Sequence, residues 1–454
     1  MAHITYLTVI AALTVARSSL AEAAEAPRPA AIPTTPVAAV PAPPPEQAAP
    51  EDESDLVPAG EKQRMARRTV VPDRITFKPG EGVYIASDDQ AFSIGFGFRF
   101  QLLYTLLNDD PNTGKTDQSF QVRRARLQVA GNGFGIHNKY RLELAVSPTD
   151  VDYDKATPTS PLLEAYTEFD YLRDLTLRAG QYKVPYDHIR VTSDVARELV
   201  DYSGATKEFS LDRDIGVELK SNDLFGAGLF RYHLGVFSGK GRNSFAAANL
   251  GLLYVGRVEV LPLGLFDDYP EGDFQRTGPR LSIGAGVARL VGGLKDQGTV
   301  GKAPLDVGGK TDFNMATADA TFKAYGLSAI AAFYYRKGER HTGSFVDPDG
   351  NPILDSKGKP LTAPSPSRDG TGVVLELGYL VPRTSFGMAG RYVTITGSSD
   401  PGHNALKDSH ELGGGLNYFF AQHDLKLQTD FFRIYGSDLS SGYNQLRLQL
   451  QLVI

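Results

Sequence analysis

The sequence contains no cysteine and no tryptophan among its 454 residues. The absence of cysteine excludes a disulfide scaffold, a zinc–thiolate site and a cysteine nucleophile, and it is compatible with an oxidising envelope compartment. No apolar run of about 18 residues is present that could form a transmembrane helix. The formal net charge of -6 is small for this length, and no basic run occurs, so the chain gives no indication of nucleic-acid binding.

The chain end consists of alternating aliphatic and polar residues. Along residues 443–454 leucines occupy even positions from Leu446 onward, whereas Gln445, Arg447, Gln449 and Gln451 occupy odd positions. Because side chains of a strand alternate between its two faces, one face is apolar and the other polar. Residues 92–106 repeat the pattern with phenylalanines on one face. At about 3.3 Å per residue, this strand is longer than usual in soluble sheets and matches a tilted span of a bilayer.

Similar segments recur along the chain and predict an all-β fold, a transmembrane antiparallel β-barrel of about 16 strands. An even count is what a closed bacterial barrel with both chain ends on one side requires. Short turns alternate with long loops, except at residues 262–278, where a short turn is expected. The predicted strands are 92–106, 120–131, 138–146, 162–171, 175–183, 214–220, 228–238, 250–261, 280–290, 313–324, 327–336, 372–381, 385–395, 409–420, 425–435 and 443–454.

The residues before the barrel predict export. Residues 4–16 are apolar and are followed by small residues, which indicates a signal peptide at residues 1–26. Residues 27–75 are rich in alanine and proline and predict a disordered periplasmic linker. The barrel is expected to span residues 76–454, in the outer membrane of a bacterium.

Three segments carry a family resemblance: FQVRRARL at residues 120–127, LRAGQYKVPY at 177–186 and RDIGV at 213–217. In order and spacing they resemble the phosphate-selective porins of Gram-negative outer membranes, the porin O/P family. The resemblance implies a homotrimeric porin in outer-membrane lipid that passes small anions such as phosphate. It also implies that the third loop, residues 185–212, folds into the lumen and narrows it.

An anion filter needs fixed positive charge at a constriction, where low-dielectric walls strengthen it. Strand alternation directs Arg124 and Arg126 of the second strand, and Lys139 and Arg141 of the third, into the lumen. The resemblance adds cations at and within the third loop, together with two neighbouring hydroxyls. These added residues are Lys183, Arg190, Arg197 and Arg213, with Thr192 and Ser193 as the hydroxyl donors.

Acidic residues on the same inner faces and in the third loop leave two alternatives open. The barrel could be a general-diffusion or organic-solute porin without anion preference. It could also be a plugged structural or adhesive barrel of the envelope. No spacing in the sequence predicts a metal site, a cofactor or a catalytic centre, so enzymatic activity is not expected.

Overall fold

The computed structural model describes residues 74–78, 82–108, 114–151, 160–244, 251–355, 358–364, 366–398 and 406–454. The predicted signal peptide, and all but the last two residues of the predicted linker, lie outside the described residues. Within these ranges, no helix has the length and apolar character needed to cross a membrane.

Antiparallel strands dominate the described part of the chain. In chain order they are β1 Arg74–Lys78, β2 Gly82–Ala86, β3 Ser93–Asn108, β4 Asp117–Asn132, β5 Asn138–Ala145, β6 Leu162–Leu172, β7 Leu175–Lys183, β8 Arg213–Ser221, β9 Phe230–Phe237, β10 Leu253–Val260, β11 Arg280–Gly293, β12 Lys310–Ala324, β13 Leu327–His341, β14 Gly370–Leu380, β15 Phe386–Gly397, β16 Ser409–Ala421, β17 Leu425–Tyr435 and β18 Tyr443–Val453. Three short helices lie in the connections: α1 Pro148–Val151, α2 His188–Val191 and α3 Gly204–Phe209.

Strands β3 to β18 form a closed barrel. Each pairs with the next, and β18 pairs back with β3, with Leu450 opposite Leu102. The predicted barrel of 16 strands is therefore confirmed, and its predicted strand ends lie within a few residues of those observed. Strands β1 and β2 add a hairpin that the sequence analysis did not predict, in which β2 pairs with the start of β3. Closure leaves no open edge among strands β3 to β18, as a sheet in lipid requires.

The two faces of the wall are polar inside and apolar outside. In β18, Arg447, Gln449 and Gln451 are buried, whereas Leu448 and Leu450 are 38% and 40% exposed. A soluble protein would bury the leucines and expose the polar residues. The reversed arrangement fits a wall whose outer face contacts hydrocarbon.

A β-bulge interrupts the alternation in β4. Arg124 lies opposite Gln101 and Val122 opposite Leu102, so Arg123 has no partner on β3. Such an extra residue redirects the side chains next to it. As a result Arg123 and Arg124 both face inward, which strict alternation would not allow.

The connections alternate in length around the barrel. Residues 173–174, 325–326, 381–385 and 422–424 form short turns at one end, and longer loops lie at the other. Residues 261–279, between β10 and β11, are long although they lie at the short-turn end. The register of β10 with β11 is regular, from Leu253 opposite Leu290 to Val260 opposite Ile283, so the exception is a real feature of the chain.

We predict that Leu448→Arg lowers the free energy of unfolding by about 2–4 kcal/mol, because it places a cation on the lipid-facing surface near mid-membrane. Leu439→Arg is the matched control, since Leu439 is 57% exposed in the β17–β18 connection. The measurement is urea unfolding in lipid vesicles followed by circular dichroism. Equal effects of the two substitutions would contradict the assignment of the outer face.

Candidate functional site

The connection between β7 and β8, residues 184–212, is here called the third-loop segment. Its backbone and side chains bond to inward-facing groups of distant strands. Val200 N donates to Asp430 Oδ2 of β17 at 3.0 Å, and Gly204 N donates to Glu411 Oε2 of β16 at 3.0 Å. Tyr334 Oη of β13 donates to Asp187 Oδ1 at 3.1 Å. The segment is therefore fixed to the inner faces of β13, β16 and β17.

Three inward glycines provide room for this segment. A Cβ atom on Gly286 of β11 would lie 2.3 Å from the carbonyl oxygen of Tyr186. On Gly372 and Gly378 of β14, a Cβ would lie 2.8 Å from the ring of Phe209 and 2.0 Å from a carboxylate oxygen of Glu198. Any side chain at these positions would push the segment away from the wall.

Apolar residues of the third-loop segment form a core with the wall. Tyr186, Ile189, Phe209 and Leu211 are each at most 1% exposed. The ring of Phe209 stacks on that of Tyr334, with 6.0 Å between centroids. Burying each such side chain contributes about 1.5–3 kcal/mol, which offsets part of the entropy lost when a loop is ordered.

Asp194 joins the third-loop segment to the first two predicted filter residues. Its Oδ2 lies 2.8 Å from Arg124 Nε and 2.7 Å from Arg126 Nη1. Burial alone would raise the pKa of Asp194, but the charges of Arg126 and Arg124 outweigh it and hold that pKa well below its ordinary value. Asp194 is thus an anion shared by two arginines.

Asp201 is shared by three cations. Its carboxylate lies 2.9 Å from Lys207 Nζ, 3.2 Å from Arg123 Nη2 and 3.4 Å from Arg124 Nη2. Burial opposes ionisation, yet Lys207, Arg124 and Arg123 lower the pKa of Asp201 well below its ordinary value. The side chains of Lys207 and Arg123 are 47% and 25% exposed. Their positive charges are therefore accessible to solvent, and the cations around Asp201 outnumber its single carboxylate.

Other predicted residues of the third loop bind the segment to itself. Lys183 Nζ donates to the carbonyl oxygen of Thr192 at 3.0 Å, and Thr192 Oγ1 donates to that of His188 at 3.0 Å. Arg190 pairs with Asp212 at 2.7 Å. Lys183 and Thr192 therefore stabilise the conformation of the loop, and their polar atoms are already hydrogen-bonded within it.

Two further predicted residues are Ser193, which contacts β3, and Arg197, which contacts Tyr202. Ser193 Oγ accepts a hydrogen bond from Arg99 Nη1 at 3.4 Å. The guanidinium of Arg197 lies 4.5 Å from the ring centroid of Tyr202, and pairs with Glu271 at 3.0 Å and Glu376 at 3.3 Å. Arg197 is 1% exposed, so it belongs to a buried network.

The remaining predicted cations lie on the wall. Arg213 pairs with Glu164 at 2.9 Å, and Arg141 pairs with Glu143 at 3.2 Å. Lys139 is 49% exposed and pairs with Asp170 near the turn at the short-turn end. Lys139 is therefore separate from the cations that surround the third-loop segment.

Three cations of this region were not named in the sequence analysis. Arg123 is redirected by the bulge, and Lys207 lies in α3, where no periodicity marks its direction. Arg99 is on the polar face of β3 and was predictable from the same alternation as Arg124. Its Nη1 lies 3.6 Å from Glu143.

A cavity of 410 Å³ adjoins the shared carboxylate Asp201. Its charged lining comprises four cations and two carboxylates, namely Arg123, Lys207, Arg391, Arg447, Asp201 and Glu411. Its other lining residues include Thr105, Ile395, Ser409 and Tyr443, which lie at the long-loop ends of their strands. The cavity therefore opens toward the long-loop end. Within the described ranges, no group of three or more histidines and carboxylates is arranged to hold a metal ion.

Comparison with solved structures identifies the class that this fold defines. The anion-selective porin from Comamonas acidovorans matches with a TM-score of 0.51 at 12% identity, covering 80% of this chain and all of that one. A loop L8 deletion mutant of OmpT, an outer membrane protein of Vibrio cholerae, matches with a TM-score of 0.49 at 13% identity, covering 80% of this chain and 100% of that one. The fold is that of an outer-membrane porin barrel.

Sequence comparison adds a family match over part of the chain. The family model described as phosphate-selective porin O and P matches residues 94–265, which include all three segments that carried the resemblance. An uncharacterized protein of Aquifex aeolicus (strain VF5) is 24% identical over 204 residues, or 39% of this chain. The aligned part spans about half, 49%, of the length of that relative.

We predict that Gly286→Ala lowers the free energy of unfolding by about 1–3 kcal/mol, because the added methyl group must displace the backbone at Tyr186. The matched control is Gly390→Ala, whose Cβ would have its nearest neighbour at 3.7 Å. The measurement is urea unfolding together with protease sensitivity of the third-loop segment. If both variants behaved like the parent protein, the close approach at Gly286 would be wrong.

Proposed function

We propose that this protein is an outer-membrane porin that lets small anions, phosphate among them, diffuse passively through a water-filled barrel. The third-loop segment narrows the lumen, and cations on the wall and on the segment select the charge of the solute. No covalent chemistry is involved.

The observation that carries this proposal is the sharing of Asp201 by Arg123, Arg124 and Lys207. Asp201, Asp194 and Asp150, which pairs with Arg126 at 2.9 Å, are three carboxylates against four cations: Arg123, Arg124, Arg126 and Lys207. Positive charge therefore remains at Arg123 and Lys207, beside the 410 Å³ cavity. In a narrow space with low-dielectric walls such an excess attracts anions more strongly than it would in bulk water. One step along the wall, Asp194 lies between Arg124 and Arg126, and Asp150 pairs with Arg126 as well, so the uncompensated charge is on the side of Arg123 and Lys207.

The residues favour oxyanions in particular. Arginine presents paired N–H donors in a plane, which match two oxygens of a phosphate, whereas lysine acts as a mobile point charge. A phosphate at Arg123 and Lys207 would compete with Asp201 for the same donors. Competition keeps the affinity moderate, as a channel requires if the ion is to leave again.

The comparisons support the same reading. The matching family model carries phosphate selectivity in its description, and the Comamonas acidovorans structure is described as an anion-selective porin. By the same resemblance, we propose that the protein is a homotrimer in outer-membrane lipid, which its mass in detergent would test.

One observation favours the alternative of a plugged structural barrel. The third-loop segment is bonded to residues 261–279, which come from the opposite end of the barrel; Glu198 N donates to Glu271 Oε2 at 2.7 Å. A plugged barrel would not conduct ions. Single-channel recording of the purified protein in a planar bilayer therefore separates the two functions.

We predict that phosphate at low concentration blocks the chloride current of the parent protein, and that Arg124→Gln weakens both this block and the preference for anions. One unit charge acting across about 4 Å of water is worth about 1 kcal/mol, or about fivefold in the permeability ratio. This is the largest effect expected, because Arg124 is buried. The reverse change, Asp201→Asn, removes the carboxylate that pairs with Arg123 and Lys207, while Arg124 keeps its pair with Asp194, and it is expected to strengthen anion preference.

The matched control is Arg289→Gln, because Arg289 faces outward from β11, where it pairs with Asp312 at 3.1 Å. Its substitution changes the net charge equally but should leave selectivity unchanged. A parent protein that conducts without phosphate block, or an Arg124→Gln variant with unaltered selectivity, would contradict the proposed filter.

A further inference from the structure

Residues 261–279 form the connection between β10 and β11 and are far longer than the barrel needs. The neighbouring turns at this end consist of residues 325–326, 381–385 and 422–424. Because Val260 of β10 already lies opposite Ile283 of β11, a turn of similar length could join the two strands. The extra residues therefore serve something other than connection.

This connection crosses the short-turn end of the barrel. Asp268 pairs with Arg231 of β9 at 3.0 Å, and Asp273 Oδ2 accepts a hydrogen bond from Gly326 N, between β12 and β13, at 2.8 Å. Further round, His423 Nε2, between β16 and β17, donates to the carbonyl oxygen of Glu271 at 2.8 Å. The connection thus reaches from β9 to the strands near the far side of the ring.

There the connection meets the third-loop segment. Glu271 N donates to the carbonyl oxygen of Ala196 at 2.8 Å, and Glu271 Oε1 lies 3.0 Å from Arg197 Nη1. Glu271 Oε2 accepts from Glu198 N at 2.7 Å. Glu271 is 3% exposed, so these three contacts form a buried junction between chain segments that enter from opposite ends of the barrel.

A ring contact and a second cavity accompany the junction. The ring of His188 stacks on that of Tyr269 with 4.6 Å between centroids. A cavity of 440 Å³ at the short-turn end is lined by both segments, with Ser193 and Ala196 from one and Asp267 and Gln275 from the other. Because Asp201 and Lys207 line the cavity at the long-loop end, the third-loop segment separates the two spaces.

We propose that residues 261–279 are a second constriction, docked on the third-loop segment through Glu271, which restricts the passage to solutes of the size of inorganic anions. The proposal rests on the proposed function as an anion channel and specifies its substrate class. Two segments across one cross-section leave less free area than one. A larger organic anion could pass only if the junction separated.

The test compares Glu271→Ala with Glu339→Ala, a matched control on the outward face of β13. A third variant replaces residues 263–277 with Asn-Gly. Each protein is recorded in a planar bilayer, with chloride and then gluconate as the only permeant anion. We expect the first and third variants to conduct at least twofold more chloride current than the parent, and to admit gluconate. The control should behave like the parent.

Unchanged chloride conductance and continued exclusion of gluconate in Glu271→Ala would overturn the proposal. If the deletion variant fails to fold, chemical labelling of a cysteine placed in residues 261–279 tests the proposal instead. Gln275→Cys introduces a single thiol into a cysteine-free chain, and a methanethiosulfonate reagent attached there should reduce the current at least twofold. Ser440→Cys in the β17–β18 connection is the control, and no effect at position 275 would also overturn the proposal.

Failure of the proposed function has a different signature. A reversal potential that shows cation preference would reject the anion filter. The size limit would then be tested with the same variants, by measuring whether they conduct organic cations that the parent protein excludes. A parent protein without conductance that conducts after Glu271→Ala would support the constriction in its strongest form. No conductance in any variant would overturn both proposals.

The junction also predicts a dependence on pH. Burial, together with the nearby charges of Glu271 and Glu376, raises the pKa of Glu198 to about 8, although Ser328 Oγ donates to its carboxylate and opposes the rise. Burial likewise raises the pKa of Glu271. Charged groups face Glu198 from three parts of the barrel. Arg197 belongs to the third-loop segment and Glu271 to residues 261–279, and the strands of the wall contribute Lys323, Glu376 and Lys426.

The sign follows from proton linkage. Glu198 holds its proton up to about pH 8 while the junction is closed, but once released it ionises near the ordinary value of 4.5. The Glu198 carboxyl therefore makes separation easier as pH rises from about 4.5 to 8. We expect gluconate permeability to rise several-fold across this window, and Glu198→Gln to reduce the rise, leaving the part due to Glu271, whose pKa burial also raises. A flat profile in the parent protein would contradict the account of the junction.

Discussion

Ion pairs between the third-loop segment and the inner wall are the interactions on which the rest of the structure depends. Asp194 meets Arg124 and Arg126, Asp201 meets three cations, and Glu208 meets Arg368 at 2.7 Å. Each carboxylate is buried, and an unpaired buried charge costs several kcal/mol. The segment can therefore occupy its place only while the wall presents arginines, and the arginines can remain buried only while the segment supplies anions.

The barrel supplies the geometry for this pairing. Backbone hydrogen bonds close through β18 and β3, which leaves side chains as the only variable groups on the inner face. Inward glycines on β11 and β14 leave space for the third-loop segment, and inward-facing charged side chains on other strands supply its ion-pair partners. Because the cations outnumber the carboxylates around Asp201, neutralisation is incomplete at one accessible point, and we propose that an incoming anion binds there.

The sequence was sufficient to predict the sixteen barrel strands, because alternation over about ten residues is a strong signal and the bilayer fixes strand length. It did not predict the short hairpin β1–β2, whose five-residue strands are too short to show that pattern. Charge direction was also predictable where the alternation is regular, as at Arg124 and Arg126. Alternation failed at Arg123, since a bulge adds a residue without changing the composition of the strand. It could not locate Lys207 or the contacts of Glu271, because these depend on how two loops meet, and loop conformation carries no period.

The central claim is that the barrel selects anions, and the reversal potential of the parent protein tests it most directly. The purified protein is placed in a planar bilayer between two potassium chloride solutions of tenfold different concentration. The account predicts a reversal potential of the sign set by chloride, larger at low salt because exposed charges are then less screened. A reversal potential of the sign set by potassium would contradict it.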